Sequence, residues 1–230
     1  MNGSKIVFPR TCRLLQGIDE TGFRRLCDCL HVRETRLLNR ETLTFEYEPC
    51  DKIGIVALGR VCLSRRRADG GRAVLEDVES CGVFGTTYAF QDANAMGITV
   101  TSIGESTVLL FGTHNIARPC RRVCEAHLRL VRNLLAVISA KTRCLKYKLR
   151  ILSQRTIRAR LVLYLEALAR GKKVREFDIP FDRQALADYL CVDRSALSAE
   201  LSKMRAEGLL DFAKSHFRLC PCTACSQDPT

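Results

Sequence analysis

The chain has 230 residues, a formal charge of +12, 47 % hydrophobic residues and 13 cysteines. That length holds one large or two ordinary domains, each able to bury its own core. No stretch approaches eighteen unbroken apolar residues and MNGSKIVFPR lacks a signal-peptide core, so a cytoplasmic protein with no membrane association is expected.

A short amphipathic helix is predicted from Asp19 to Leu30, with Phe23, Leu26 and Leu30 on one face. From Thr35 to Gly112, apolar and β-branched runs are repeatedly broken by glycine (IGIVALGRVCLSRRR, ADGGRAVLEDVE, MGITVTSIGESTVLLFG). Short strands at this spacing predict an antiparallel jelly roll or barrel. Asp69-Gly70-Gly71 reads as the hairpin turn between two of those strands.

Next comes a long helix. Leu128, Val131, Leu135, Ile138, Thr142, Leu145, Leu149 and Leu152 alternate three and four residues apart. Such an a/d seam predicts two helices packed together, most simply in a parallel homodimer. A helix lying on its own domain would use a broader stripe; Leu134 and Val137 widen this one, so part of it is expected to touch the β domain. Near Ser153-Gln154 the seam ends and a new helix, TIRARLVLYLEALA, begins in a different phase, with Gly171 expected to close it. VREFDIPF reads as a small hairpin.

The stretch FDRQALADYLCVDRSALSAELSKMRAEGLL, from Phe181 to Leu210, carries the most information. Asp182 is placed to cap a helix with Leu186, Ala187 and Leu190 on one face. The run breaks at Cys191-Val192-Asp193, and Asp193 is placed to cap a second helix with Leu197, Leu201 and Met204, stopped by Gly208. Two short helices around a three-residue turn make a helix-turn-helix, whose second helix enters the DNA major groove. An αα-corner inside a helical domain would carry the same pattern. LLDFAKSHFRL then reads as two strands around Lys214-Ser215, the wing of a winged helix. Just upstream, Lys141 to Arg175 holds 12 Lys/Arg and one acid, Glu166. Such a block suits a polyanion, because neutralised phosphates release counterions; a solvated charged face is the plainer account.

A glycine-punctuated β-roll, a long dimerising helix and a C-terminal winged helix, in that order, resemble the CRP/FNR family of bacterial transcription regulators. The resemblance spans essentially the whole chain. It is carried by GRVCLSRRRADGGRAVLEDVESCGVFG, with Gly59 to Val61, Asp69 to Gly71 and Gly82 to Gly85 at the family's roll positions, and by RQALADYLCVDRSALSAELSKMRAEGLL. It implies an α+β protein: an N-terminal jelly-roll sensor domain (1–125), a dimerisation helix (126–153) and a C-terminal winged helix-turn-helix (154–230). It also implies double-stranded DNA, a second copy of the chain, RNA polymerase and a small-molecule or redox effector as partners. Dimerisation is expected through Leu128, Val131, Leu135, Ile138 and Leu145.

The chain departs from the family in two places. Cyclic-nucleotide-binding members hold ribose and phosphate with a Gly-Glu pair and a downstream Arg-Ala, whereas this chain has Gly85-Thr86-Thr87 and no arginine between Arg72 and Arg118. Cyclic AMP is therefore not the expected effector. Phe84, Thr86, Thr87, Tyr88 and Phe90 are the candidate pocket residues. In the recognition helix, the family's Arg-Glu pair and further Arg fall at Arg194, Ser195 and Ala199. Arg194 keeps the bidentate reach to guanine, Ser195 and Ser198 are expected to make lesser contacts, and Arg183 and Gln184 to anchor phosphates.

The tail, Cys220-Pro221-Cys222-Thr223-Ala224-Cys225, offers CxxC spacing. Cys220, Cys222 and Cys225 are candidate ligands for zinc or an iron–sulfur cluster; disordered free thiols are the alternative. The remaining cysteines are expected to act mostly as small hydrophobes. Cys27 and Cys29 flank Asp28, and Cys120 and Cys124 lie one helical turn apart, close enough for a thiol switch or a shared metal, with core packing expected for each. The four histidines are scattered. No Walker A loop, G-x-G-x-x-G, G-x-S-x-G or H-E-x-x-H occurs, so an enzyme is not expected. The rival reading is a cysteine-based redox- or metal-responsive protein whose helix-turn-helix is only an interaction module.

Overall fold

A computed structural model of the chain describes residues 6–45, 52–66, 71–87, 98–118 and 124–220. It separates into two compact units, 1–141 and 142–230, and the division falls within one long helix. No helix among the described residues is long and apolar enough to cross a membrane.

In the first unit a 3-10 turn (Arg13–Leu15) precedes α1 (Glu20–Cys29), which starts where the Asp19 carboxylate accepts the Gly22 N–H at 2.7 Å. Strands β1 (Arg33–Leu37), β2 (Thr42–Phe45), β3 (Lys52–Leu58), β4 (Arg60–Arg66), β5 (Arg72–Glu79), β6 (Val83–Phe84), β7 (Ile98–Ser102) and β8 (Ser106–Gly112) follow. After them come α2 (Thr113–Ala117) and the long α3 (Glu125–Leu152). The strands form two antiparallel sheets, β1-β8-β3-β6 and β2-β7-β4-β5, in a β-sandwich, the jelly-roll alternative and not a closed barrel. The Asp69-Gly70 half of the expected hairpin turn lies outside the described residues; on either side of it Arg66 pairs with Arg72.

The continuous apolar runs KIGIVAL and STVLLFG have a structural cause: their strands, β3 and β8, are covered on both faces. Ile53, Ile55, Leu109 and Phe111 join a cluster with Phe23 and Leu26 of α1 and Leu130 and Leu134 of α3. Val56, Val108 and Leu110 turn the other way, onto Val61, Leu63, Val78 and Val100 of the second sheet. Gly54 of β3 stands opposite Phe84 of β6, and the Phe84 ring occupies the space of the missing side chain.

Helix α3 has two apolar faces. Leu130 and Leu134 are buried in the first unit, and Val131, Val137 and Ile138 pack partly against the same cluster. Leu128, Leu135, Leu145 and Leu149 are 57 %, 61 %, 69 % and 70 % exposed.

The second unit adds α4 (Ile157–Lys172), β9 (Glu176–Asp178), α5 (Arg183–Leu190), α6 (Arg194–Ala206), β10 (Leu210–Ala213) and β11 (His216–Leu219). Its core brings together Leu161 and Leu165 of α4, Leu186 and Leu190 of α5, Leu197 and Leu201 of α6, and Phe177 and Phe217 of the sheet. Two local expectations are corrected. Helix α4 runs through Gly171 and ends at Lys173, which takes the left-handed conformation (φ 55°) and donates back to Arg170; no glycine is needed at that cap. VREFDIPF is not a hairpin. Its one strand, β9, pairs with β11 to complete the sheet β10-β11-β9, because Phe177 finds its apolar partner in Phe217.

A Cβ at position 54 would lie 1.9 Å from Cζ of Phe84. Gly54→Ala should therefore destabilise the first unit by about 1–3 kcal/mol through overpacking, read as a lower urea midpoint. Adding Phe84→Leu should recover part of that loss, since the two changes share one space.

Candidate nucleic-acid interface

The helix-turn-helix is built by local chemistry. The Asp182 carboxylate accepts the Ala185 N–H at 2.7 Å and starts α5. The helix closes at Cys191, left-handed with φ 52°, while the Val192 N–H reaches back to the Ala187 carbonyl at 3.0 Å. This closure re-aims the chain within three residues. Asp193 stands at the start of α6 as expected, but its side chain makes no capping bond there. Gly208 follows the last turn with φ 72°.

Leu197, Leu201 and Met204 turn α6 inward, leaving Arg194, Ser195, Ala199, Ser202 and Ala206 exposed. Arg194 and Ser195 have no side-chain hydrogen bond or ion pair among the described residues. Ser198 is half-buried and its hydroxyl donates to the Arg194 carbonyl at 2.9 Å, so its proton is committed within its own helix.

Much of the bracing comes from cations behind the motif. Arg158 of α4 donates to Glu200 at 2.6 Å and, with both terminal nitrogens, to Glu207 at 2.6 and 2.9 Å. It thus holds α6 at its middle and its end, and its guanidinium keeps the Glu207 carboxyl below the usual carboxylate range. Arg160 donates to the carbonyls of Gln154, Leu190 and Cys191 at 3.0, 2.9 and 3.2 Å. Lys148 of α3 donates to the Tyr189 carbonyl and lies over the Tyr189 ring, and burial pulls its ammonium below the ordinary lysine range. Tyr189 in turn packs on Phe181 and Tyr164, whose phenol burial pushes up to about 12.

The basic block is thus divided. Lys141, Lys148, Arg158, Arg160, Arg170, Lys172 and Arg175 bond within the protein. The other five of the twelve, Arg143, Lys146, Arg150, Arg155 and Lys173, have no such partner among the described residues, and all are exposed. The sequence offers no signal that separates the two sets, because bracing and phosphate contact draw on the same residue types.

Arg183 is placed beside the wing. Its guanidinium lies 4.8 Å from the Phe212 ring centre and 5.9 Å from that of Phe217, and it donates to the Lys214 carbonyl at 3.3 Å. Burial, then the nearby Arg194, holds it below the ordinary arginine value. A cleft of about 550 Å³ lies between Ile179–Arg183 and Lys214-Ser215. Gln184 is exposed and donates to Asp188 at 2.9 Å.

The other candidates lie elsewhere. Phe84 is packed between the sheets, Thr86 is buried and Thr87 exposed, whereas Tyr88 and Phe90 lie outside the described residues. Cys220 is half-buried and its N–H bonds the Leu209 carbonyl at 3.1 Å; Cys222 and Cys225 lie outside the described residues. Cys27 is buried, which pushes its thiol up to about 12. Cys29 and Cys124 are half-buried, and Cys120 lies outside the described residues.

Residues 34–122 match the model of the cyclic nucleotide-binding domain and residues 159–221 that of the Crp-like helix-turn-helix domain. No curated protein matches the chain in sequence. Among solved structures, the chain is similar to the catabolite activator protein of Thermus thermophilus at 17 % identity, over 90 % of this chain and 93 % of that one, with a TM-score of 0.51. It is also similar to the c-di-GMP-responsive global regulator CLP of Xanthomonas campestris at 17 % identity, over 89 % and 100 %, with a TM-score of 0.55. A third, a CooA variant from Carboxydothermus hydrogenoformans, gives 17 % identity over 82 % and 83 %, with a TM-score of 0.51. Likeness at this identity establishes the fold.

Replacing Arg160 by Met keeps most of its length and removes the donors to Leu190 and Cys191. The second unit should lose about 1.5–3 kcal/mol in a denaturant melt, the range for hydrogen bonds made by charged groups.

Proposed function

We propose that this chain, which belongs to the CRP/FNR family of DNA-binding transcription regulators, grips a two-fold symmetric operator as a homodimer. The observation that carries this reading is the outward face of α6. At its first turn it offers a long donor without an internal partner among the described residues, Arg194, beside a row of small side chains, Ser195, Ala199, Ser202 and Ala206. Small residues let a helix lie deep in the major groove, and a lone guanidinium reads guanine through O6 and N7. Arg183, Lys214 and Gln184 flank this face and supply the phosphate contacts that fix register. Arg143, Lys146, Arg150, Arg155 and Lys173 add long-range attraction.

The exposed leucines of α3 support the dimer. Four leucines more than half exposed on one helix form a stripe that water disfavours, and a second copy of the same helix covers it. Two linked recognition helices then hold two half-sites at once, which raises affinity through effective concentration.

The effector binds in the roll, and it is not a cyclic nucleotide held in the family's manner. Thr86 replaces the acid that would meet a ribose hydroxyl, and the sequence carries neither lysine nor arginine from Ala73 to Ala117. A phosphate held by that stretch would find no cation. Thr86 and Thr87 remain the hydroxyl candidates for a neutral ligand.

Operator sequences selected from a random pool should be bound with discrimination that collapses in Arg194→Ala, by about 1–3 kcal/mol per half-site. Unchanged selectivity would put the reading residue elsewhere. The double variant Leu135→Glu, Leu145→Glu should be monomeric by light scattering, because it buries like charges across the axis. Both positions are exposed, so the fold of one chain should survive. A dimer that persists would move the interface off α3.

A further inference from the structure

The outer face of the wing sheet carries a group of charges that neither the core nor the recognition helix requires. Strands β9 and β11 pair with His216 opposite Asp178 and Arg218 opposite Glu176. Nδ1 of His216 lies 3.1 Å from Oδ1 of Asp178, and Nε2 lies 3.0 Å from Oε1 of Glu176. An ionised carboxylate only accepts, and a neutral imidazole has a single N–H. Both contacts are satisfied together only when the ring carries two protons. The neutral ring would turn a lone pair toward one carboxylate at hydrogen-bonding distance.

The proton is held on the ring and not on Glu176. Arg218 donates to Glu176 through Nε at 2.8 Å and Nη2 at 3.0 Å, and with His216 it draws that carboxyl down to about 2. Among the described residues, the other charges near the group are Asp211 of β10, opposite Arg218 and itself paired with Arg205 of α6, Lys214 in the adjoining turn, and Lys172 from the end of α4, which donates to the Asp178 carbonyl at 3.0 Å. With His216 charged, Glu176, Asp178, His216 and Arg218 sum to zero. Without that proton they sum to −1, one residue from the Lys214-Ser215 tip and the cleft beside Arg183.

We propose that His216 is a proton site on the wing through which pH sets the grip of the DNA-binding unit on phosphates. The proposal rests on the DNA-binding reading above. Its sign follows from the two contacts, which raise the imidazole above its ordinary value of 6.5. The contribution is complete below that value and is lost as pH rises through the higher value of the folded protein. Deprotonation places net negative charge beside the phosphates, and affinity falls.

Because phosphate attraction is independent of sequence, the full-length protein can be titrated with sonicated bulk double-stranded DNA at constant ionic strength across pH 6 to 9, with the His216 ring followed by NMR. Affinity should fall roughly three- to tenfold across the His216 titration, as expected for about one phosphate contact. His216→Gln should lose that step and bind weakly throughout, and His216→Arg should lose the step and bind tightly throughout. A ring that titrates at or below 6.5, or a His216→Gln variant that keeps the wild-type pH slope, overturns the proton site. Absence of DNA binding at every pH overturns the DNA-binding reading itself, and the ring titration then still reports the clasp separately.

Discussion

The helix-turn-helix depends on how the end of α5 is satisfied. A helix leaves its last carbonyls without internal partners, and here the chain must also reverse direction over Cys191-Val192-Asp193. The Tyr189, Leu190 and Cys191 carbonyls receive Lys148 and Arg160. These are charge-assisted bonds made at the negative end of a helix dipole, so the cation is favoured twice. Their donors come from α3 and α4, and the turn is therefore fixed to the elements behind it. Once the turn is fixed, Arg158 needs only to hold α6 by Glu200 and Glu207 to set the angle of the recognition helix.

A similar economy appears in the first unit. Lys141, near the middle of α3, donates to Glu76 of β5 at 2.5 Å and to the Val83 carbonyl of β6 at 2.8 Å. Val83 immediately precedes Phe84, whose ring fills the space over Gly54, and Gly85-Thr86 follows. One ammonium thus ties the helix that carries the leucine stripe to the segment where the effector candidates begin. The residue before Phe84 is thereby bonded directly to α3.

The sequence revealed those features that rest on periodicity and local turn chemistry. The jelly roll, α1, the two helices of the motif and the strands of the wing were all legible, because burial and turn chemistry leave a pattern within a few residues. The misses have identifiable causes. Leu130, fully buried, lay outside the three-four seam and escaped notice, since a helix with two apolar faces does not resolve into one stripe. Position 171 looked like a helix end because glycine is the usual left-handed residue there, yet Lys173 takes that conformation. Strand β9 looked like half of a hairpin because its partner, β11, lies about forty residues downstream. Asp193 kept its position at the helix start without making the expected side-chain bond.

The hardest feature to read was charge. Twelve cations in thirty-five residues look like one polyanion surface, and a count cannot say which of them face outward. The structure commits seven to carbonyls and carboxylates inside the protein, and most of these hold the motif or the wing. That division has a physical logic. A guanidinium that braces a helix end through neutral carbonyls, as Arg160 does, keeps an unbalanced charge whose long-range field still adds to the attraction for DNA, whereas Arg158 is offset by Glu200 and Glu207. Arg160 can therefore fix the turn before the recognition helix at contact range and draw phosphates at a distance. Bracing by apolar residues would supply only the first effect. The dense basic block upstream of the motif is thus better understood as a scaffold that is also charged than as a contact surface that happens to adjoin one.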